Sequence, residues 1–288
     1  MATTSLPARR PRFGLGRAAA AGDRRVVDPC WIPDRPELAC VANAVSLLMP
    51  HLEPYVVRTV ASTIPDLGPE LAATTRAYVG QETEHHRQHR RWNSVLVGRY
   101  RGLGTVDRVT GRAFGLLERR TSRRFGLAVA TASETLAYSA ARWAAEHRAD
   151  EFSGADARVA RLFWWHLAEE VEHKAVVYDV ARAVGLERWR HLVGTVLTVV
   201  GLAVAVLAGT LVTMVGEHRW WHPVAWYRLT VWSLGFAFEL IPNLVVALLP
   251  GHHPNQLADP AWYAEVLTHH HPARTTGSSA VEGGVELD

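Results

Sequence analysis

The stretch WWHLAEEVEHKAVVYDV, residues 164–180, sets His166, Glu169, Glu170, Glu172 and His173 between a tryptophan pair and an apolar run. Such flanks do not belong to a solvated helix face. Residues three, four and seven apart share one face of a helix. His166, Glu170 and His173 therefore line one face, with Glu169 beside them, and Glu170-Val-Glu-His173 is a Glu-x-x-His pair. An earlier stretch, GQETEHHRQHRRWN at residues 80–93, repeats the device. There Glu82 and His85 form a second pair, His89 follows one turn later on the same face, and Glu84 and His86 are offset.

One Glu-x-x-His pair is weak on its own. Two of them, each preceded by a helix with a single carboxylate, form the ligand pattern of di-metal carboxylate bundles. Both single carboxylates are found in order. Glu134 stands in the small, apolar stretch ATASETLAYSAARW, and Glu53 lies in PHLEPYVV. The order Glu53, Glu82/His85, Glu134, Glu170/His173 reads as a half-motif used twice. Carboxylate and imidazole donors suit iron or manganese, with zinc as the alternative, and need no thiolate. Four buried glutamates without cations would repel one another and each would bear a desolvation cost. The expected ligands are Glu53, Glu82, His85, Glu134, Glu170 and His173, holding two metal ions, iron first. His89, His166 and Glu169 are further ligands or groups that orient ligands; spacing does not choose. Glu84 and Glu172 read as solvated, and Trp164 and Trp165 as packing anchors.

Helical periodicity runs through most of the chain and nothing alternates with period two, so the class is all-α. The expected architecture is a ferritin-like four-helix bundle with a di-metal site and an added C-terminal apolar helical hairpin. Pro50 is expected to end one helix and open the next, leaving Glu53 in a first turn. Further helices are expected over about 70–100, 107–147 (bent near Thr121) and 157–183. From Leu192 to Val215, 24 residues carry no formal charge, enough to span a bilayer. A second apolar run, residues 229–250, is interrupted by Glu239, Pro242 and Asn243. The expected division is a disordered basic tail over 1–36, a metal-binding bundle over 37–187, the apolar hairpin with its following segment over 188–271, and a disordered tail over 272–288.

The 288 residues allow one large domain or one domain with appendages, at 48 % hydrophobic and 20 % charged content. Net charge is +3, with Arg9, Arg10, Arg12, Arg17, Arg24 and Arg25 set against Asp23 near the N-terminus. No nucleic-acid fold signature follows this basic stretch, so no nucleic-acid partner is expected. Cys30 and Cys40 form no C-x-x-C pair, which argues against a disulfide framework or zinc ribbon and for a reducing compartment. Residues 1–26 lack the apolar core of a secretory signal. The expected location is the cytoplasm, with attachment to or embedding in the inner membrane if the apolar hairpin meets lipid.

NAVSLLMPHLEPYVVRTV, YVGQETEHHRQHRRWN, SETLAYSA and WWHLAEEVEHKAVVYDV together resemble the bacterial family called predicted metal-dependent hydrolases. PGHHPNQLADPAWY, residues 250–263, is similar to that family's Pro-Gly-Phe-His-Pro segment, and the likeness runs over about residues 36–267. Pro54 follows Glu53 where the family would have Arg. The resemblance implies a metal-dependent enzyme, while the ligand set looks like an O2-activating di-iron site, a type whose histidine-rich relatives include N-oxygenases. Three readings stay open: an O2-dependent oxidase or oxygenase on a small or lipid-like substrate with an electron donor; a hydrolase using metal-activated water; and a non-catalytic metal-binding protein at a membrane. A second copy of the chain is a candidate partner.

Overall fold

The computed structural model of the chain describes residues 6–15 and 27–269, and among these it is all-helical. The helices are α1 (Pro36–Ala61), α2 (Pro69–Arg99), α3 (Leu103–Arg120), α4 (Arg123–Glu151), α5 (Ala157–His173), α6 (Val176–Ala183), α7 (Arg188–Gly216), α8 (Pro223–Leu248) and α9 (Trp262–His269). Local chemistry sets several ends. Pro36, Pro69 and Pro223 open α1, α2 and α8, where a missing N–H costs nothing. The Ser122 hydroxyl caps α4 by accepting from Phe125 N at 3.2 Å, and Asp156 caps α5 by accepting from Arg158 N at 2.8 Å. Gly185, at φ 70°, ends the stretch after α6 in the left-handed region.

α1 departs from expectation. It runs unbroken through Pro50 and Pro54 instead of ending at Pro50. A proline inside a helix orphans the carbonyl four residues earlier. For Pro50 that carbonyl belongs to Ser46, and Asn93 Nδ2 on α2 supplies the missing donor at 2.8 Å. Glu53 is thereby placed in mid-helix and buried, not in a frayed first turn. The expected helix over 157–183 is instead two, α5 and α6, parted directly after His173. Lys174, at the break, donates to Leu257 O at 2.8 Å and pairs with Asp259, so this corner is tied to the C-terminal segment. The bend expected near Thr121 is the junction of α3 and α4.

Helices α1, α2, α4 and α5 enclose the candidate site. One apolar cluster lies around Trp31, Leu47, Trp92, Leu96, Leu162 and Trp165, and a second around Leu52, Tyr55, Tyr78, Leu127 and Val177. The two consecutive apolar helices α7 and α8 touch each other and are packed mainly on the bundle, α7 on α1 and α4, and α8 on α4. The buried stripe of α7 is small, with Gly194, Thr195, Thr198, Gly209, Thr210 and Thr213. A Cβ on Gly194 would lie 2.4 Å from that of Ala128, and one on Gly209 2.8 Å from that of Ala44, so the backbones touch. Close approach through small residues is the packing style of helices in lipid. The outward faces, including Leu197, Val200, Val204, Leu234, Phe238 and Ile241, are exposed. Both helices are long and apolar enough to cross a membrane, by length and composition.

The expectation of a loose tail over 1–36 is corrected for the residues described there. Leu6, Phe13 and Leu15 are buried, as are Trp31 and Ile32, and Phe13 packs on Trp165 at 5.5 Å between ring centroids. Arg9 is buried as well, because two glutamates of α5 compensate its charge. The expected tail over 272–288 lies outside the described residues.

Candidate metal centre

Each of the four enclosing helices carries some of the candidate side chains. Glu53 comes from α1, Glu82, His85 and His89 from α2, Glu134 from α4, and His166, Glu169, Glu170 and His173 from α5. All nine are buried. One donor atom each from Glu82, His85, Glu170 and His173 lies within 4.8 Å of the others, and the same holds for Glu53, His85 and His166. His85 therefore stands where the two groups meet. Glu134 accepts from Tyr78 OH at 2.5 Å through Oε1.

Six side-chain atoms of this cluster have no hydrogen-bond partner. They are both oxygens of Glu53, Glu82 Oε1, Glu134 Oε2, His85 Nδ1 and His173 Nδ1. His173 Nδ1 is only 2.9 Å from Glu82 Oε1, and His85 Nδ1 is 3.4 Å from an oxygen of Glu82 and one of Glu170. None of these approaches has hydrogen-bond geometry. Buried polar atoms are almost always satisfied, so six orphans of complementary type in one place fit a bound cation. Oxygen and imidazole donors without thiolate fit iron or manganese.

The outer atoms of the same rings are held firmly. His85 Nε2 donates to Glu169 Oε2 at 2.9 Å. Glu169 Oε1 accepts from Arg9 at 2.9 Å and from Trp165 Nε1 at 3.0 Å, so both Glu169 oxygens are engaged away from the centre. Trp165 is thus a hydrogen-bond donor as well as a packing anchor. Gln81 Nε2 donates to Pro7 O at 2.9 Å, which leaves Gln81 Oε1 as the acceptor for His173 Nε2–H at 2.7 Å. With Nε2 protonated, the neutral ring of each histidine offers a lone pair at Nδ1.

The tautomers of His89 and His166 follow by the same reasoning, beginning at Pro50. Asn93 Nδ2 serves the Ser46 carbonyl, so Asn93 Oδ1 faces the Ser46 hydroxyl and accepts its proton at 2.7 Å. The hydroxyl proton being committed, His89 Nδ1–H donates to Ser46 Oγ at 2.8 Å. His89 Nε2 is then an acceptor, and His166 Nδ1–H donates to it at 2.6 Å. His166 Nε2 is left with a bare lone pair 2.8 Å from Glu170 Oε1 and 3.6 Å from Glu53 Oε1. A lone pair facing carboxylate oxygens is repulsive unless a cation lies between them.

Electrostatics point the same way. Burial, reinforced by the neighbouring Glu82 carboxylate, holds the Glu53 carboxyl well above its ordinary range. Burial, with Glu170 and Glu82 close by, does the same to Glu134. Burial opposes charge on His85 and His173, but the surrounding carboxylates outweigh it and raise both well above the ordinary imidazole value. Burial also works against the Glu170 carboxylate, yet the charged imidazoles of His173 and His85 beside it hold it well below its usual value. Burial and adjacent imidazoles lower His89 and His166, which keeps the relay neutral. Without cations, protons would have to balance this cluster.

Two expectations are corrected at the rim. Glu84 is buried and accepts from Gln88, and Glu172 is held by Arg9 at 2.7 Å, so neither is simply solvated. Sequence reading also missed Tyr78, Gln81, Ser46, Asn93 and Arg9. Tyr78 stands four residues before Glu82 and Asn93 four after His89, so helical spacing could have found them. Arg9 carries no local signal, because its partners lie 160 and 163 residues away.

Two Glu-x-x-His helices and two single-glutamate helices thus make an all-helical protein with a buried carboxylate–histidine cluster that could hold a metal ion. The model of the family described as predicted metal-dependent hydrolase matches residues 16–258, and the chain belongs to that family. No curated protein and no solved structure matches it.

Proposed function

We propose that the chain is a membrane-attached enzyme in which Glu53, Glu82, His85, Glu134, Glu170 and His173 hold two metal ions, iron first, for O2-dependent oxidation of a small or lipid-like substrate. The convergence of unpartnered buried donor atoms supports the metal site, and the proposed O2 chemistry rests on the likeness of this donor set to di-iron carboxylate bundles. His166 Nε2 is assigned as a further ligand atom, while His89 and Glu169 hold ligands in place. Two adjacent iron ions, when bound, supply the electron storage that O2 reduction needs, with an external electron donor.

The protein's own part is to position and to shield. Glu169 and Gln81 keep the Nδ1 atoms of His85 and His173 pointed inward. Tyr78 keeps a proton at Glu134 Oε1. The His166–His89–Ser46 chain fixes which imidazole nitrogens carry protons. Tyr78 and Trp165, both fully buried, help keep bulk water from the cluster.

Hydrolysis by metal-activated water is the second reading, and the family's description favours it. Metal analysis and an absorption spectrum of aerobically purified protein, followed by O2-uptake assays with a reductant, separate the two. Iron with O2 uptake supports the first. Turnover sustained without O2 on zinc or manganese supports the second, and bound metal with no turnover leaves a binding protein.

The membrane attachment rests on the exposed apolar faces of α7 and α8. α7 packs on α1 and α4 through its stripe of small residues, so its opposite, apolar face is the one proposed to meet lipid.

A further inference from the structure

A cleft of about 610 Å³ runs between α3 and α7, floored by Leu52 of α1 and Val129 of α4. Its walls are alkyl and aryl groups, among them Val109, Phe114, Leu117 and Leu202. The threonine hydroxyls on it are largely engaged: Thr105 accepts from Arg108 at 2.9 Å and Thr198 donates to Gly194 O at 2.7 Å. The volume is that of a small-ligand site, and walls this apolar would not hold ordered water. Leu197 and Val204 belong both to the cleft and to the outward face of α7, being 54 % and 63 % exposed. The cleft therefore opens on the surface that the membrane reading puts against lipid.

At Phe125 the character changes. The same ring borders a second cavity of about 270 Å³, lined by Arg120, Thr121, Ser122, Trp189 and Arg190. Arg190 shares Glu187 with Arg124, at 3.1 Å and 2.8 Å. An apolar cleft with a basic cavity next to it across Phe125, where Arg120 is exposed and without a carboxylate partner among the described residues, complements an alkyl chain with an anionic head.

We propose that this cleft binds one acyl chain of an anionic lipid, with the headgroup against Arg120 and Arg190. The site is separate from the Glu/His cluster and does not depend on which reaction occurs there; the membrane reading enters only as the source of the lipid. The chemistry is shared by a free fatty acid and a membrane phospholipid.

The test measures displacement of a fluorescent fatty acid from the full chain by saturated fatty acids of rising length, by a single-chain phosphatidylglycerol, and by hexadecanol as the neutral comparator. Each added CH2 should tighten binding about four-fold until the cleft is filled. R120Q should weaken palmitate or the phosphatidylglycerol about ten-fold and leave hexadecanol within about two-fold, the loss of one charge-assisted contact. A113F, which narrows the cleft from the exposed side of α3, should weaken all of them, and metal content should be unchanged in both variants. The tighter of the two anionic ligands names the source. Failure of both to bind, affinity independent of chain length, or an R120Q effect equal on charged and neutral ligands overturns the proposal.

Discussion

Removing one hydroxyl tests whether the hydrogen-bond chain behind His166 sets metal affinity. In Ser46→Ala, Asn93 Oδ1 loses its donor and His89 Nδ1–H its acceptor, both in a buried region. Each orphan costs about 1–3 kcal/mol. Asn93 must bear its share, because its amide nitrogen stays committed to the Ser46 carbonyl that Pro50 leaves open. His89 can avoid its share by moving its proton to Nε2. It then donates to His166 Nδ1, and the proton of His166 moves to Nε2, 2.8 Å from Glu170 Oε1. That arrangement suits the metal-free protein and blocks the lone pair a cation needs. The variant is expected to fold with a loss of about 1–3 kcal/mol. Its metal affinity should fall about 10–100-fold, the usual effect of disturbing a group that orients a ligand, which is about 1.4–2.7 kcal/mol. Chelator competition for Mn(II) or Fe(II) measures the affinity, and thermal unfolding with and without metal measures the rest. The gap between the two melting temperatures should narrow. An affinity within two-fold of the parent protein refutes the reasoning, since His166 would then keep its lone pair without Ser46.

Other outcomes follow from the same geometry. Glu82→Ala and Glu170→Ala should each lose most of the bound metal by elemental analysis, since both carboxylates sit in the four-residue donor group; full occupancy in both would remove the site assignment. Metal uptake should release protons and tighten as pH rises, because Glu53, Glu134, His85 and His173 all have raised folded-state values and must give up protons to a cation. For the metal-free protein the sign is fixed by linkage: raised groups stabilise the fold at low pH, and that contribution is lost as pH climbs through their folded values. Metal-free melts that improve from neutral to alkaline pH would contradict this. Arg9→Ala should cost about 3 kcal/mol, the low end for breaking a buried pair, because Glu169 keeps Trp165 and His85 as partners; a melt unchanged from the parent would mean that the N-terminal segment contributes nothing. Sodium carbonate washing should leave the protein in the membrane fraction, and clean release as a monodisperse detergent-free species would count against lipid contact by α7 and α8.

The helical class and the candidate carboxylates and histidines were legible in the residues alone. A helix repeats every 3.6 residues, so Glu82 with His85 and Glu170 with His173 had to share faces whatever surrounded them. Isolated acids such as Glu53 and Glu134 in apolar stretches are costly unless something compensates them, which marked them before any coordinates. Three other features depended on tertiary contacts. Pro50 reads locally as a helix end, and it becomes a mid-helix residue only because Asn93, 43 positions away, serves the carbonyl it abandons. Glu169 and Glu170 are adjacent and chemically alike, yet one turns to Arg9, Trp165 and His85 while the other meets His166. The protonated nitrogen of His166 is set through His89, Ser46 and Asn93, residues of α1 and α2 that α5 meets only in the folded bundle. Spacing along one helix determines which side chains share a face. Which of them receives a partner from another helix, and hence which atom is left to bind a cation, is decided by packing between distant segments, since hydrogen bonds act over only about 3 Å.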